Sequence, residues 1–222
     1  FRSRIFQLKD KLPQIAGFYP LDVASDATTK EFYDAFSAEN PGKKADIMIH
    51  AIGFAPRTCF DRPILFVEDQ DINTAMTISA NSLQRCLKFG LPYLNPNSST
   101  ITLTYAASNR YVPSYGIMSM AKAALECWTR ELACHLGPEG HRINAISSGP
   151  IRTIAASGIP GFENILDHVE RNAPLRRNVN QDDVAGATLW LASPLSNGVT
   201  GQCIYVDAGY SITMVPETIM NN

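Results

Sequence analysis

The run Ser99-Thr100-Ile101-Thr102-Leu103-Thr104-Tyr105 reads as an extended, apolar-rich segment, and the helix-length stretch Tyr115 to Leu136 follows it. Beyond the turn cluster Leu136-Gly137-Pro138-Glu139-Gly140 comes a second extended run, Arg142 to Ser147. Strand, helix, strand is the unit of a parallel sheet, because parallel neighbours need a long crossover to bring the chain back to the same end. The alternation continues outward. Strands are predicted at Ala45 to Ala51 and Gln202 to Val206, with a shorter one near Gly17 to Leu21 that Pro20 ends. Helices are predicted near Thr28 to Glu39, Asp71 to Gly90, Phe162 to Arg171 and Gln181 to Leu191. Ser25 and Asp26 are candidate caps for the first of these and Asn180 for the last. Asn95-Pro96-Asn97-Ser98-Ser99 reads as a turn. The expectation is a doubly wound α/β fold, a mostly parallel sheet between two helical layers, in one domain over residues 1-222.

Composition narrows the function. Of 222 residues, 45% are hydrophobic and 18% charged, an ordinary balance for one substantial core. A formal net charge of -2 and a pI near 6.1 leave no bulk basic footprint for nucleic acid or an anionic membrane, which favours a small-molecule role. Cys59, Cys86, Cys127, Cys134 and Cys203 contain no Cys-x-x-Cys pair, so neither a disulfide framework nor a zinc knuckle is expected, and a reducing compartment is. No apolar run reaches the roughly 18 residues of a membrane span, so a soluble protein is expected. His50, His135, His141 and His168 lack metal-ligand spacing, and no metal is expected. The chain opens at Phe1 without methionine or a signal pattern, so it is expected to begin inside a longer reading frame.

The strongest chemical signal is Tyr115-Gly116-Ile117-Met118-Ser119-Met120-Ala121-Lys122, a tyrosine and a lysine seven positions apart at the start of a helix. That spacing is nearly two turns, so both side chains are expected on one helix face, roughly 10 Å apart along the axis. A phenol titrates near pH 10, and a neighbouring ammonium favours its ionised form. The alternative is an interface tyrosine and a solvated lysine.

The Tyr-x6-Lys pattern after a strand resembles the short-chain dehydrogenase/reductase superfamily. A second tyrosine ten residues ahead, in Thr104-Tyr105-Ala106-Ala107-Ser108-Asn109-Arg110-Tyr111-Val112-Pro113-Ser114-Tyr115, resembles the enoyl-acyl-carrier-protein reductases of bacterial fatty-acid synthesis, where other members carry serine at the strand end. Further similar segments run in family order from about residue 15 to 212: His50 to Pro56, Ala123 to Glu126, Arg142 to Thr153, Ala155 to Ile159 and Tyr205 to Tyr210.

The resemblance implies a Rossmann-like fold that reduces the trans-2 double bond of enoyl thioesters with NADH, NADPH remaining possible. It implies Tyr115 on the thioester carbonyl, Lys122 on the nicotinamide ribose, and an active-site role for Tyr105, whose alternative is core packing. It places Ile52 and Gly53 beside the adenosine ribose, Ala55 near substrate, and Ile151 against the carboxamide. Arg152, Thr153, Ile154 and Ala155 belong to the same cofactor segment, Thr153 near the pyrophosphate. Asp22, with Val23, is positioned to accept from the adenine amino group; its alternative is a turn or cap aspartate. Residues 154-170 correspond to a substrate-binding flap. Met118 and Met120 are compatible with core or acyl tunnel alike. A homotetramer is implied, with contacts along Asp71 to Gly90 and Tyr115 to Leu136, acting in the bacterial cytoplasm on a carrier-protein substrate.

Two departures stand out. No glycine-rich strand-turn-helix unit precedes the first predicted strand, so the fold is expected to lack that first unit and the chain as it stands to bind cofactor poorly. The flap helix has no lysine or arginine before Arg171, which leaves Arg57, Arg62, Arg176 or Arg177 as candidates for the acidic carrier protein. The competing readings are another short-chain carbonyl reductase, which would want serine at Tyr105, and a non-catalytic paralogue or fragment.

Overall fold

The computed structural model describes residues 7, 8, 11–153, 156 and 161–213. Among these residues four strands, β1 (Ala45–His50), β2 (Leu94–Thr104), β3 (Arg142–Ser148) and β4 (Cys203–Val206), form one sheet in the order β1-β2-β3-β4, and every pair is parallel. The helices are α1 (Asp26–Glu39), the single turn α2 (Thr58–Asp61), α3 (Asp69–Met76), α4 (Ser82–Gly90), α5 (Ile117–Leu136), α6 (Phe162–Asn172) and α7 (Gln181–Ala192). A π-turn, Thr77–Asn81, joins α3 to α4, so the single helix expected from Asp71 to Gly90 is interrupted.

Both faces of the sheet are covered, as a doubly wound fold requires. On one side Leu83 and Leu87 of α4 and Leu125 of α5 pack on Leu94 and Ile143. On the other, Leu191 of α7 packs on Ile101 and Ile146. β3 is buried along six of its seven residues, so its long polar side chains are paired inside, Arg142 with carbonyls at the end of α7 and Asn144 with the Val199 carbonyl. The second layer stops short of β1: Ile49, in register with Ile101, is 56% exposed, and Ile47 is exposed beside it.

Two caps explain where helices begin. The Ser25 hydroxyl accepts from the Thr28 amide at 3.2 Å, and Asn180 and Asp183 form a reciprocal capping box at α7. Asp26 is instead the first residue of α1 and pairs with Arg85 and Lys88. Two other expectations fail. Gly17 to Leu21 is not a strand: a strand exists through its ladder, β1 has only β2 beside it among the described residues, and Pro20 removes a donor. Tyr19 there turns to the aromatic face of α1, against Phe32 and Phe36. Asn95 to Ser99 is not a turn between elements but an irregular part of β2: the register jumps from Ala45↔Leu94 to Ile47↔Ser99, and Asn97 absorbs the extra residues at φ 64.

Candidate active site

The carboxyl ends of β1, β2 and β3 open on the same edge of the sheet, and the chemistry-bearing residues collect there. Tyr105 follows β2 directly, and its ring lies 5.0 Å from that of Tyr115 in an edge-on arrangement at 60°. Tyr115 is not on α5. It sits in the loop before the helix, between Ser114 at φ 63 and Gly116 at φ 52. Tyr115 and Lys122 therefore do not share a helix face; a backbone turn aims the phenol. Only glycine fits at 116, since a Cβ would lie 2.5 Å from the Cys59 carbonyl oxygen as well as demanding a positive φ. Lys122, on the second turn of α5, is 8% exposed and donates from Nζ to the Leu103 carbonyl at 2.8 Å. A Cβ on Gly53 would come 3.9 Å from that Nζ and from Met118 Cε, so Gly53 and Lys122 share one wall. Ala55 packs beside Cys59, Val67, Ala75 and Ile117, at the start of the same helix.

Burial sets the protonation states. It holds the Lys122 ammonium down at about 8, against the opposing pull of Glu126. It drives the Tyr115 phenol well above its ordinary range, with Tyr105 adding to the rise, and pushes Tyr105 up to about 12. The pull toward the ionised form expected from a neighbouring ammonium does not act on Tyr115: desolvation of a phenolate dominates, and Tyr115 stays a neutral hydrogen-bond donor. His50, at the end of β1, is held at about 4, chiefly by burial and then by the Lys122 charge, so it is neutral. Its ring nitrogens meet Thr102 Oγ1 at 2.9 Å and Ser82 Oγ at 2.8 Å.

One residue that holds a loop of this edge escaped the sequence reading. Ser79 lies fully buried in the π-turn, where its hydroxyl accepts from the Phe54 amide at 2.8 Å and donates to the Phe54 carbonyl at 2.7 Å. This ties down the Gly53-Phe54-Ala55 loop. A serine inside a helical pattern gives no signal of it, because the π-turn that turns it inward is not written in the periodicity.

The remaining candidates are more dispersed. A Cβ on Gly149 would meet Asp207 Cα and Val179 Cγ2 at 3.1 Å, so that glycine serves close packing within the fold. Ile151 packs on the Val169, Ala173, Val179 and Ala208 cluster. Arg152 is paired with Glu163 of α6, and Thr153 Oγ1 accepts from the Ala156 amide at 3.0 Å. Ile154 and Ala155, and the flap up to Pro160 apart from Ala156, lie outside the described residues. Asp22 Oδ1 accepts from the Ala24 amide at 2.9 Å, the geometry of a turn aspartate, while the buried Val23 offers its carbonyl to Arg85. Met118 is buried against Gly53, whereas Met120 is half exposed. Arg57, Arg62 and Arg177 are engaged by Asp61, Glu68 and Asp183. Among the described residues no group of three His, Cys, Asp or Glu side chains could hold a metal, and no helix is long and apolar enough to cross a membrane.

The sequence model of the family described as Enoyl-(Acyl carrier protein) reductase matches residues 2–211. The chain belongs to that family. Its relatives include the enoyl-[acyl-carrier-protein] reductase [NADH] FabI of Haemophilus influenzae, 43% identical over 199 residues, 89% of this chain and 75% of that protein. The protein of the same name from Synechocystis is 41% identical over 213 residues, 96% of this chain and 81% of its own. Among solved enoyl-acyl-carrier-protein reductases, that of Aquifex aeolicus superposes with a TM-score of 0.90 at 33% identity, covering 96% of this chain and 83% of its own. That of Anaplasma phagocytophilum, in complex with NAD, gives 0.88 at 31% identity, covering 97% and 79%. This member of the enoyl reductase family therefore has the Rossmann-like fold expected from its motifs, and Tyr105, the tyrosine that sets its sequence apart from other short-chain reductases, lies with its ring against that of Tyr115.

Proposed function

We propose that this chain reduces the trans-2 double bond of an enoyl thioester borne on acyl carrier protein, the last step of the elongation cycle of fatty-acid synthesis, with NADH as the reductant. The observation that carries this reading is the pairing of Tyr115, kept as a neutral phenol, with Tyr105 at the mouth of β2, the strand whose Leu103 carbonyl holds the buried Lys122. The residues fit a nicotinamide cofactor. Lys122 spends one of its three N–H donors on Leu103, leaving two for a ribose diol, and the absence of a side chain at Gly53 lets a ligand approach that wall.

Bound there, reduced nicotinamide supplies the hydride that reaches the β-carbon of the thioester. Negative charge would then develop on the thioester carbonyl oxygen until a proton taken from solvent at the α-carbon completes the saturated thioester, and Tyr115 is placed to stabilise that charge as a hydrogen-bond donor. A phenol that burial keeps protonated is suited to this, because it donates throughout the neutral range. Tyr105 packs edge-on against Tyr115 and limits its rotation. Lys122 orients the cofactor, and the loop held by Ser79 backs it. Tyr105 in place of a serine favours this reaction over carbonyl reduction. Asp22 and Val23 at the adenine, Ile52 and Gly53 at the ribose, Ala55 at the substrate, and Ile151 to Ala155 along the nicotinamide and pyrophosphate complete the proposed site. We assign residues 154-170 as the flap of a single reductase domain, and the assembly as a homotetramer in the bacterial cytoplasm.

The test, run on the full-length protein, is thioester-dependent loss of reduced-nicotinamide absorbance with a trans-2-enoyl substrate. Tyr115→Phe is expected to lower kcat by roughly 10²–10³, the scale of one oxyanion donor, with NADH binding retained. Lys122→Ala is expected to weaken NADH binding. A folded protein that oxidises neither NADH nor NADPH when given thioester would refute the assignment.

A further inference from the structure

Glu126 is absent from the reaction just described, yet it stands one helical turn beyond Lys122 on α5, at the i, i+4 spacing that puts both side chains on one face. Two consecutive residues of β2 hold the pair. Leu103 accepts from Lys122 Nζ at 2.8 Å, and the buried Thr104 hydroxyl donates to Glu126 Oε1 at 2.7 Å. A buried ammonium with only a neutral carbonyl for company is a poorly compensated charge. Here the carboxylate is anchored by a neutral hydroxyl, which fixes its position without cancelling its charge.

We propose that Glu126 is the fixed counter-charge of Lys122, a positioning residue that keeps the buried ammonium protonated and its donors aimed into the cofactor side of the site. This rests on the reading of Lys122 as the cofactor-holding group.

The surroundings agree. Within reach of the Lys122 charge is His50 from β1, which burial keeps neutral. Facing Glu126 are the Cys203 thiol of β4, whose proton burial and Glu126 both retain, and Arg130 on the next turn of α5. Glu126, Arg130 and Cys203 line a cavity of about 360 Å³ between α5 and β4, with Arg130 exposed at its edge. Of the influences on Lys122, burial opposes the charged form and Glu126 favours it, leaving the ammonium charged at neutral pH by a narrow margin.

The test reads the titration of Lys122 without cofactor. In the unfolded chain a lysine keeps its proton to near pH 10.4, while the folded Lys122 releases it near 8, so stability rises with pH above 8. Denaturant unfolding of the full chain from pH 6.5 to 9.5, taken as the difference from Lys122→Met, isolates that rise. In Glu126→Gln it should begin about one pH unit lower. NADH binding, followed by fluorescence, should be about fivefold weaker than wild type at pH 8 and nearly equal at pH 6, the ratio of charged lysine for a one-unit shift. Thr104→Val should move both curves in the same direction by less. A stability difference and a binding curve that keep their wild-type midpoints, whether or not uniformly lowered, would overturn the proposal. Should Glu126→Gln lose its cooperative transition, Thr104→Val decides by the same criterion. Failure of the full-length wild type to bind NADH would sink the reading of the site, while the stability curves would still decide the role of Glu126.

Discussion

Ser79→Ala removes one oxygen and should be felt in two ways. The Ser79 hydroxyl is fully buried and is the partner of both the amide and the carbonyl of Phe54. A buried backbone group left without a partner costs about 1–3 kcal/mol. The Phe54 side chain is 52% exposed, so water can reach part of this loop, and the lower end of that range for each group is appropriate, about 2 kcal/mol in all. For a chain of this size that corresponds to a fall in Tm of about 4–8 °C. The loop it releases contains Gly53, which shares a wall with Lys122, so the KM for NADH should rise while the Tyr115 donor, on a different element, is untouched. Calorimetry gives the first effect, and amide hydrogen exchange localises it: the Phe54 amide should lose protection in the variant. A Tm within about 1 °C of wild type, well inside the shift expected for a domain of this size, together with unchanged exchange at Phe54, would show that the π-turn does not hold the loop.

His50 makes acid destabilising. Its folded value is about 4 and an unfolded histidine titrates near 6.5, so between these the unfolded chain binds a proton that the folded one refuses, and stability rises with pH across that window by on the order of 3 kcal/mol. Denaturant midpoints from pH 4 to 7 should show the rise, and His50→Gln should flatten it; an equal slope in both would contradict the buried neutral imidazole. Gly116→Ala should cost about 3 kcal/mol, because it combines a left-handed φ with a Cβ placed against the Cys59 carbonyl. Its urea midpoint should drop and its turnover should fall further than stability explains, since Tyr115 is the adjacent residue; a silent substitution would mean the turn can re-form without glycine.

Much of this protein is legible in its sequence for local reasons. Arg142 to Ser148 reads as a strand because both of its faces are covered, and Asn180 with Asp183 marks a helix start because capping needs only four residues. Tyr105, Tyr115 and Lys122 identify the family because their order along the chain is a pattern that needs no coordinates. The limits of such reading fall where distant segments meet. The π-turn that presents Ser79 to Phe54 depends on a loop 25 residues earlier in the chain. The irregular stretch at Asn97 is a turn by composition and part of a strand by pairing, because β1 decides its register. That Arg152 pairs with Glu163 and that Asp22 accepts from the Ala24 amide are likewise contacts the sequence does not announce. The sequence alone determined the order of the main elements and the family, both of which are properties of neighbours along the chain. Tertiary structure alone decided that Tyr115 precedes its helix and remains a neutral phenol, because those depend on Cys59 packed against Gly116 and on the water that packing excludes.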